Sequence, residues 1–176
     1  MPQAAAASKA EEAPRAETET AIRAQALDLT FRTADGPVQA LADVSLEIAK
    51  GEFVSFIGPS GCGKTTFLRV VAGLEHPTGG SIAVNGMSPD AARQARAYGY
   101  VFQAAGLYPW RTIAGNVKLP LEIMGFSRAE QESRVRRVLS LVELDGFANK
   151  YPWQLSGGMQ QRASIARALS FDAEIL

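Results

Sequence analysis

Residues 58–65 read Gly58-Pro59-Ser60-Gly61-Cys62-Gly63-Lys64-Thr65 and fit the pattern G-x-x-x-x-G-K-[ST] at every fixed position. Before them lies Phe53–Ile57, an apolar-rich run interrupted only by Ser55, which reads as a strand buried on both faces. After them the pattern predicts a helix from about Lys64 to Ala72, with Gly73 as its C′ residue and Pro77 just beyond. Strand, glycine-rich loop and helix in that order describe a phosphate-binding loop. Wrapping a phosphate requires backbone N–H groups that point inward, and glycine permits both the backbone angles and the close approach. The helix N-terminus adds positive potential. Lys64 would reach the β- and γ-phosphates, Thr65 would ligate Mg²⁺ and Thr66 would reach the α-phosphate. Cys62 fills a free position of the pattern and reads as a passive filler. Such a loop serves ATPases, GTPases and small-molecule kinases alike.

The rest of the chain bounds the answer. It has 176 residues, 18 basic and 18 acidic, and so no net formal charge. A nucleic-acid binder driven by bulk charge would need a basic excess. The 47% hydrophobic and 20% charged content suits a globular chain, and the length suits one domain. Stretches free of Asp, Glu, Lys and Arg reach only 14 residues (76–89 and 97–110), too short to span a membrane as a helix. One cysteine leaves no internal disulfide and fits a reducing compartment; one histidine, His76, leaves no multi-histidine zinc site. Residues 1–20, rich in Ala, Glu and Thr and without an apolar leader segment, read as a disordered tail.

Working outward, Ala21–Phe31 and Val38–Ile48 read as strands joined through the Asp35-Gly36 turn. Ser81–Val84 and Tyr98–Phe102 are further strand candidates. Beyond Phe102 the pattern turns helical, with predicted helices at Thr112–Met124, Ser127–Val142 and from Gly157-Gly158 to about Leu169. Ser127 with Glu130 matches a capping box.

A second anion site appears at Leu155-Ser156-Gly157-Gly158-Met159-Gln160-Gln161-Arg162, where a hydroxyl and two open glycine N–H groups meet a helix start. This octapeptide resembles the signature L-S-G-G-x-Q-x-R of ABC-transporter ATPases at every fixed position, about 90 residues after the phosphate loop. The resemblance covers residues 21–176. It implies an α/β fold: a P-loop NTPase of the ABC ATP-binding type, with an antiparallel β subdomain and a helical subdomain. The phosphate-loop core would cover about 21–103 and the helical subdomain about 104–170.

The resemblance also implies roles for single residues. Ser156, Gly157, Gly158, Met159 and Gln160 would meet the ATP held by the loop Gly58–Thr66 of another copy, in a homodimer or pseudo-homodimer. Gln103 resembles the glutamine that binds Mg²⁺ or the attacking water, and so carries the catalytic and metal assignment with Thr65. Phe31 sits where the family stacks an aromatic ring on adenine. ATP and Mg²⁺ are the implied cofactors. A membrane permease is the implied partner, with a periplasmic or extracellular solute-binding protein acting through it and no nucleic acid. The implied location is the cytoplasmic face of a bacterial inner membrane, as a peripheral subunit. Residues 103–112 resemble importers of the nitrate, sulfonate or taurine type, and the segment with Leu119, Leu121, Ile123 and Met124 resembles their permease-facing surface, in part mere core packing.

One departure stands out. The family continues with an apolar strand ending in Asp-Glu, and here that strand begins at Ala173-Glu174-Ile175-Leu176, where the sequence stops. The expectation is a fragment of an ATPase of roughly 240–270 residues, with the C-terminal part of the sheet missing and no turnover by this piece alone. The alternative is a non-catalytic nucleotide-binding remnant. A soluble ABC protein acting on ribosomes or DNA is disfavoured by the neutral, single-copy chain, and a phosphotransferase by the signature.

Overall fold

A computed structural model describes residues 19–176. The expected tail, residues 1–20, lies outside this range except for its last two residues. Those two are ordered: Glu19 pairs with Lys50 at 2.6 Å, and Thr20 opens the first strand.

Strands β1 (Thr20–Thr33), β2 (Gly36–Ala49) and β3 (Gly79–Val84) form one antiparallel sheet in the order β2-β1-β3. The buried side of β1 changes parity between Ala24 and Leu27, and the ladder shifts register there. Ala26, at φ 47°, supplies the extra residue. The bulge lets Ile22, Ala24, Leu27 and Leu29 all face one core along a 14-residue strand. Helix α1 (Lys64–Val71) lays Phe67, Val70 and Val71 on the same core, and Gly73 ends it at φ 58° as expected.

A short helix α2 (Pro89–Gln94) follows β3 and was not expected. Its start is nonetheless written in the sequence. Ser88 caps Ala91 N–H, and Pro89 sits in the first turn, where a missing N–H costs nothing.

Helices α3 (Ile113–Ile123), α4 (Arg128–Leu141) and α5 (Gly157–Leu169) match the expected helices within two residues. Thr112, Ser127 and Ser156 cap them, and the Ser127–Glu130 capping box is formed in both directions. These helices close a second core of Ile113, Val117, Leu121, Val138, Leu144, Ala163 and Ala166. Leu121 is fully buried there, Leu119 and Met124 are half-buried, and Ile123 is exposed, so the segment is part core and part surface.

Two expected strands are absent. Residues 53–57 and 98–102 carry no strand, and Phe53 and Ile57 are 96% and 94% exposed. A doubly buried strand requires hydrogen-bonded neighbours and cover on both faces. Among the described residues none pairs with 53–57, and the parallel pairing at 98–102 is reduced to one bridge, Tyr98 to Ile175. The expectation that Phe53–Ile57 is a strand buried on both faces is overturned: without a paired neighbour among the described residues the run stays exposed.

Candidate functional site

The phosphate loop leaves residue 57 and turns through 60–63 into α1. Gly63 holds φ 93°, and a Cβ there would stand 2.7 Å from the Ala40 carbonyl oxygen and 3.0 Å from Leu41 Cδ2. Only glycine fits between loop and β2 at that point. No side chain caps α1, so its first-turn N–H groups stay open. Lys64 curls back into the loop, and its ammonium donates to the carbonyls of Gly58 and Pro59 at 2.7 Å each. It also lies 3.4 Å from Cys62 Sγ. A cation held against backbone carbonyls, beside a helix start with no side-chain cap, has the make-up that an anion cradle requires.

Pro59, Ser60, Gly61 and Cys62 are exposed, as is Thr65; Thr66 is half-buried. Among the described residues no three His, Cys, Asp or Glu side chains converge into a metal cage. The donor set instead suits Mg²⁺ carried in with phosphate oxygens, a hard cation that needs few protein ligands. Thr65 is the hydroxyl that would complete it. Phe31 pairs with Val38 across β1 and β2, two residues from Ala40, where Gly63 packs. The ring is half-buried against the first core, on the strand pair that backs the loop.

The signature turn sits on the other core. Ser156 Oγ accepts from Met159 N–H at 3.3 Å, and Ser156, Gly157 and Gly158 are exposed. Nothing lies within 4 Å of where a Cβ would stand on either glycine, so the face is open to a ligand. Gln160 works inward: its amide donates to the carbonyls of Pro152 at 2.9 Å and Leu155 at 3.2 Å, tying the approach loop to α5. Gln103 is exposed on a loop rather than at a strand end, while Gln161 donates to the neighbouring Phe102 carbonyl at 3.1 Å. The α5 helix thus grips the Gln103 loop. Arg167 adds bonds to the carbonyls of Gly106 and Ala105, and its burial pushes the guanidinium below its ordinary range.

The structure therefore groups Phe31 with Gly58–Thr66 on the first core, and Ser156–Gln160 with Gln103 near the second. Sequence reading missed Asn116. It is fully buried, accepts from Tyr108 N–H at 2.6 Å and donates to the carbonyls of Tyr108, Arg111 and Thr112. A lone Asn inside an apolar helical stripe was the available signal.

An antiparallel β subdomain carrying a phosphate loop, beside a helical subdomain carrying a second anion turn, defines an ATP-binding cassette of the P-loop class. The family described as ABC transporter matches residues 41–176, and the chain belongs to that family. It is 42% identical over 158 residues to the uncharacterized ABC transporter ATP-binding protein MJ0412 of Methanocaldococcus jannaschii, covering 88% of this chain and 57% of that one. It is 40% identical over 158 residues to the taurine import ATP-binding protein TauB of Pseudomonas putida, covering 88% and 58%. Against the methionine import ATP-binding protein MetN of Bordetella pertussis the figures are 44% over 161 residues, covering 88% and 44%. The chain thus spans about half the length of the curated relatives it matches. Among solved structures, a dimer of the ATP-binding cassette MJ0796 bound to ADP and Pi superposes with TM-score 0.77 at 37% identity, covering 85% of this chain and 69% of that one.

Proposed function

We propose that the chain is the ATP-binding part of a transport ATPase that powers solute import through a membrane permease. The observation that carries this reading is the division of the two anion sites between two cores, each open outward. One site offers Lys64 and an uncapped helix start; the other offers Ser156, Gly157 and Gly158. Two half-sites on one chain suit a head-to-tail pair of copies, with ATP between the loop of one and the signature of the other. The MJ0796 cassette, a dimer bound to ADP and Pi, supports the pairing of two copies.

In that pair the loop N–H groups and Lys64 bind and orient the phosphates, and Thr65 with Gln103 would hold Mg²⁺. Bound Mg²⁺ would offset phosphate charge. Phe31 would stack on the base. The second copy's Ser156 hydroxyl and the Gly157 and Gly158 N–H groups would meet the γ-phosphate and lose that contact when it leaves. Closure on ATP and opening afterwards drive the permease, because ATP favours one of two states. No helix among the described residues is long and apolar enough to cross a membrane. A peripheral position on the cytoplasmic face, bound to a permease, fits the reading.

For the solute we propose the sulfonate, taurine or nitrate class. The 103–112 segment and the taurine-import relatives support it, beside relatives that import methionine and sulfate. The test is to co-express the complete protein with its neighbouring permease and measure ATP-dependent taurine, nitrate and methionine uptake. Uptake should require Lys64 and favour taurine or nitrate. Methionine uptake alone would overturn the solute class, and a complete protein that binds no nucleotide would overturn the function.

A further inference from the structure

The chain crosses between its two cores just after α5, and one acidic residue governs the crossing. Phe171 packs on the helical core and Ile175 on the β core, with only three residues between them. Asp172 sits first in that gap, in the left-handed conformation at φ 55°. Both its carboxylate oxygens are taken by α4: Oδ2 accepts from Arg134 and Oδ1 from Arg137. Arg134 also donates to the Ser170 carbonyl at 3.4 Å and lies 4.6 Å from the centre of the Phe126 ring, so it is fixed from several sides. The arginines hold the Asp172 carboxyl below the usual carboxylate range.

On the far side of the gap the chain is anchored to the β core. Gly99 N–H donates to the Ile175 carbonyl at 2.7 Å, and Asn85 donates to Glu174 at 2.8 Å. Gly99 also packs against α5 so closely that a Cβ would stand 2.7 Å from the Ala168 carbonyl oxygen. The crossing is therefore a pivot, clasped on one side by two arginines and on the other by a short parallel bridge.

We propose that Asp172 is a positioning residue for the signature turn, setting the angle between α5 and the phosphate-loop half. Helix α5 runs from the signature to this pivot. Its 13 residues make a lever of roughly 20 Å, so a tilt of roughly 10° at the pivot moves the signature by about 3 Å. That displacement exceeds what a hydrogen-bonded anion site tolerates. Half-exposed ion pairs add little to stability. Two arginines spent on one exposed carboxylate therefore serve geometry more than stability. The consequence for ATP rests on the head-to-tail reading above; the angle itself does not.

The test is an electron-spin distance measurement on the complete protein in a Cys62→Ser background, with labels at Leu68→Cys on α1 and Trp153→Cys beside the signature. The native chain should give one narrow distance. Asp172→Asn should broaden it or shift it by several ångströms, with a melting temperature within a few degrees of the parent, and Asp172→Glu should restore it in part. An unchanged distribution in Asp172→Asn would overturn the proposal. So would a broadening that Asp172→Glu does not reduce at all, which would mark general loosening. The same samples titrated with ATP report dimer formation separately. Asp172→Asn should then need roughly tenfold more protein to dimerise. A label distance that changes in Asp172→Asn, in a protein that never dimerises with ATP even with Cys62 in place, would count against the head-to-tail reading while leaving the clasp intact.

Discussion

The two halves of the molecule differ in how they are completed. The helical half closes on itself: α3, α4 and α5 follow one another in sequence, each has a side-chain cap, and their core leaves Ile113, Val117, Leu121 and Leu144 fully buried. The phosphate-loop half holds its loop behind a segment, residues 53–57, that carries no strand and leaves Phe53 and Ile57 facing solvent. The difference follows from contact range. Helices draw their hydrogen bonds from their own residues, whereas a parallel strand draws every one from a distant segment. The loop keeps its form anyway, because Lys64 is held by carbonyls five and six residues before it and Gly63 packs on Ala40 of β2, a strand already paired with β1.

The sharpest way to break this contrast is to damage one core alone. Leu121→Ala should destabilise the helical half by roughly 2–5 kcal/mol. Trp110 and Trp153 both flank that half, so tryptophan fluorescence should report the loss. If β-sheet circular dichroism falls at the same lowered midpoint, the halves unfold as one and the contrast fails. Next in size, Lys64→Ala should weaken nucleotide binding by roughly ten- to a hundredfold, since charge-assisted bonds contribute roughly 1.5–3 kcal/mol each. Calorimetric titration would measure it, and the fluorescence melt should stay unchanged because Lys64 touches only its own loop. Unchanged affinity would move the nucleotide elsewhere.

Smaller effects sharpen the helical side. Ser127→Ala removes a two-way capping box and should cost about 1 kcal/mol in denaturant unfolding. A loss below a few tenths would mean that packing alone holds α4. The smallest effect is acid sensitivity at the pivot. The folded carboxyl of Asp172 is depressed from its ordinary value of 3.8, so its contribution is fully present above that pH. It is lost as the pH falls from there through the lower folded value. Asp172→Asn should flatten that part of a stability-against-pH curve below about pH 4; an identical curve would show that the pair contributes nothing in solution.

The local backbone of the candidate site was legible in sequence, because glycines and helix starts declare themselves over a few residues. Gly63, Lys64 and Thr65 follow a strand-like run, and Ser156-Gly157-Gly158 start a helix; each pattern states its own local geometry. The helix bounds were legible for the same reason, through Thr112, Ser127 and Ser156. What failed was non-local. Nothing in Phe53–Ile57 or Tyr98–Phe102 says whether a partner strand is in place, and the apolar run reads the same either way. Helix α2, six residues with Ala92 as its one buried side chain, offers no apolar period to read, although Ser88-Pro89-Asp90 writes a helix start. The Asp172 clasp joins residues 35 and 38 positions apart, beyond what periodicity along α4 can show.

The central claim is that one nucleotide site is shared between two copies. Its most direct test mixes two variants of the complete protein, Lys64→Ala and Gly158→Asp, and measures ATP-dependent association by sedimentation. Neither variant alone retains a whole site, but a mixed head-to-tail pair contains one. The account predicts no dimer from either variant and a stable ATP-dependent dimer from the mixture. A mixture that stays monomeric, while the unmodified protein dimerises with ATP under the same conditions, would contradict it.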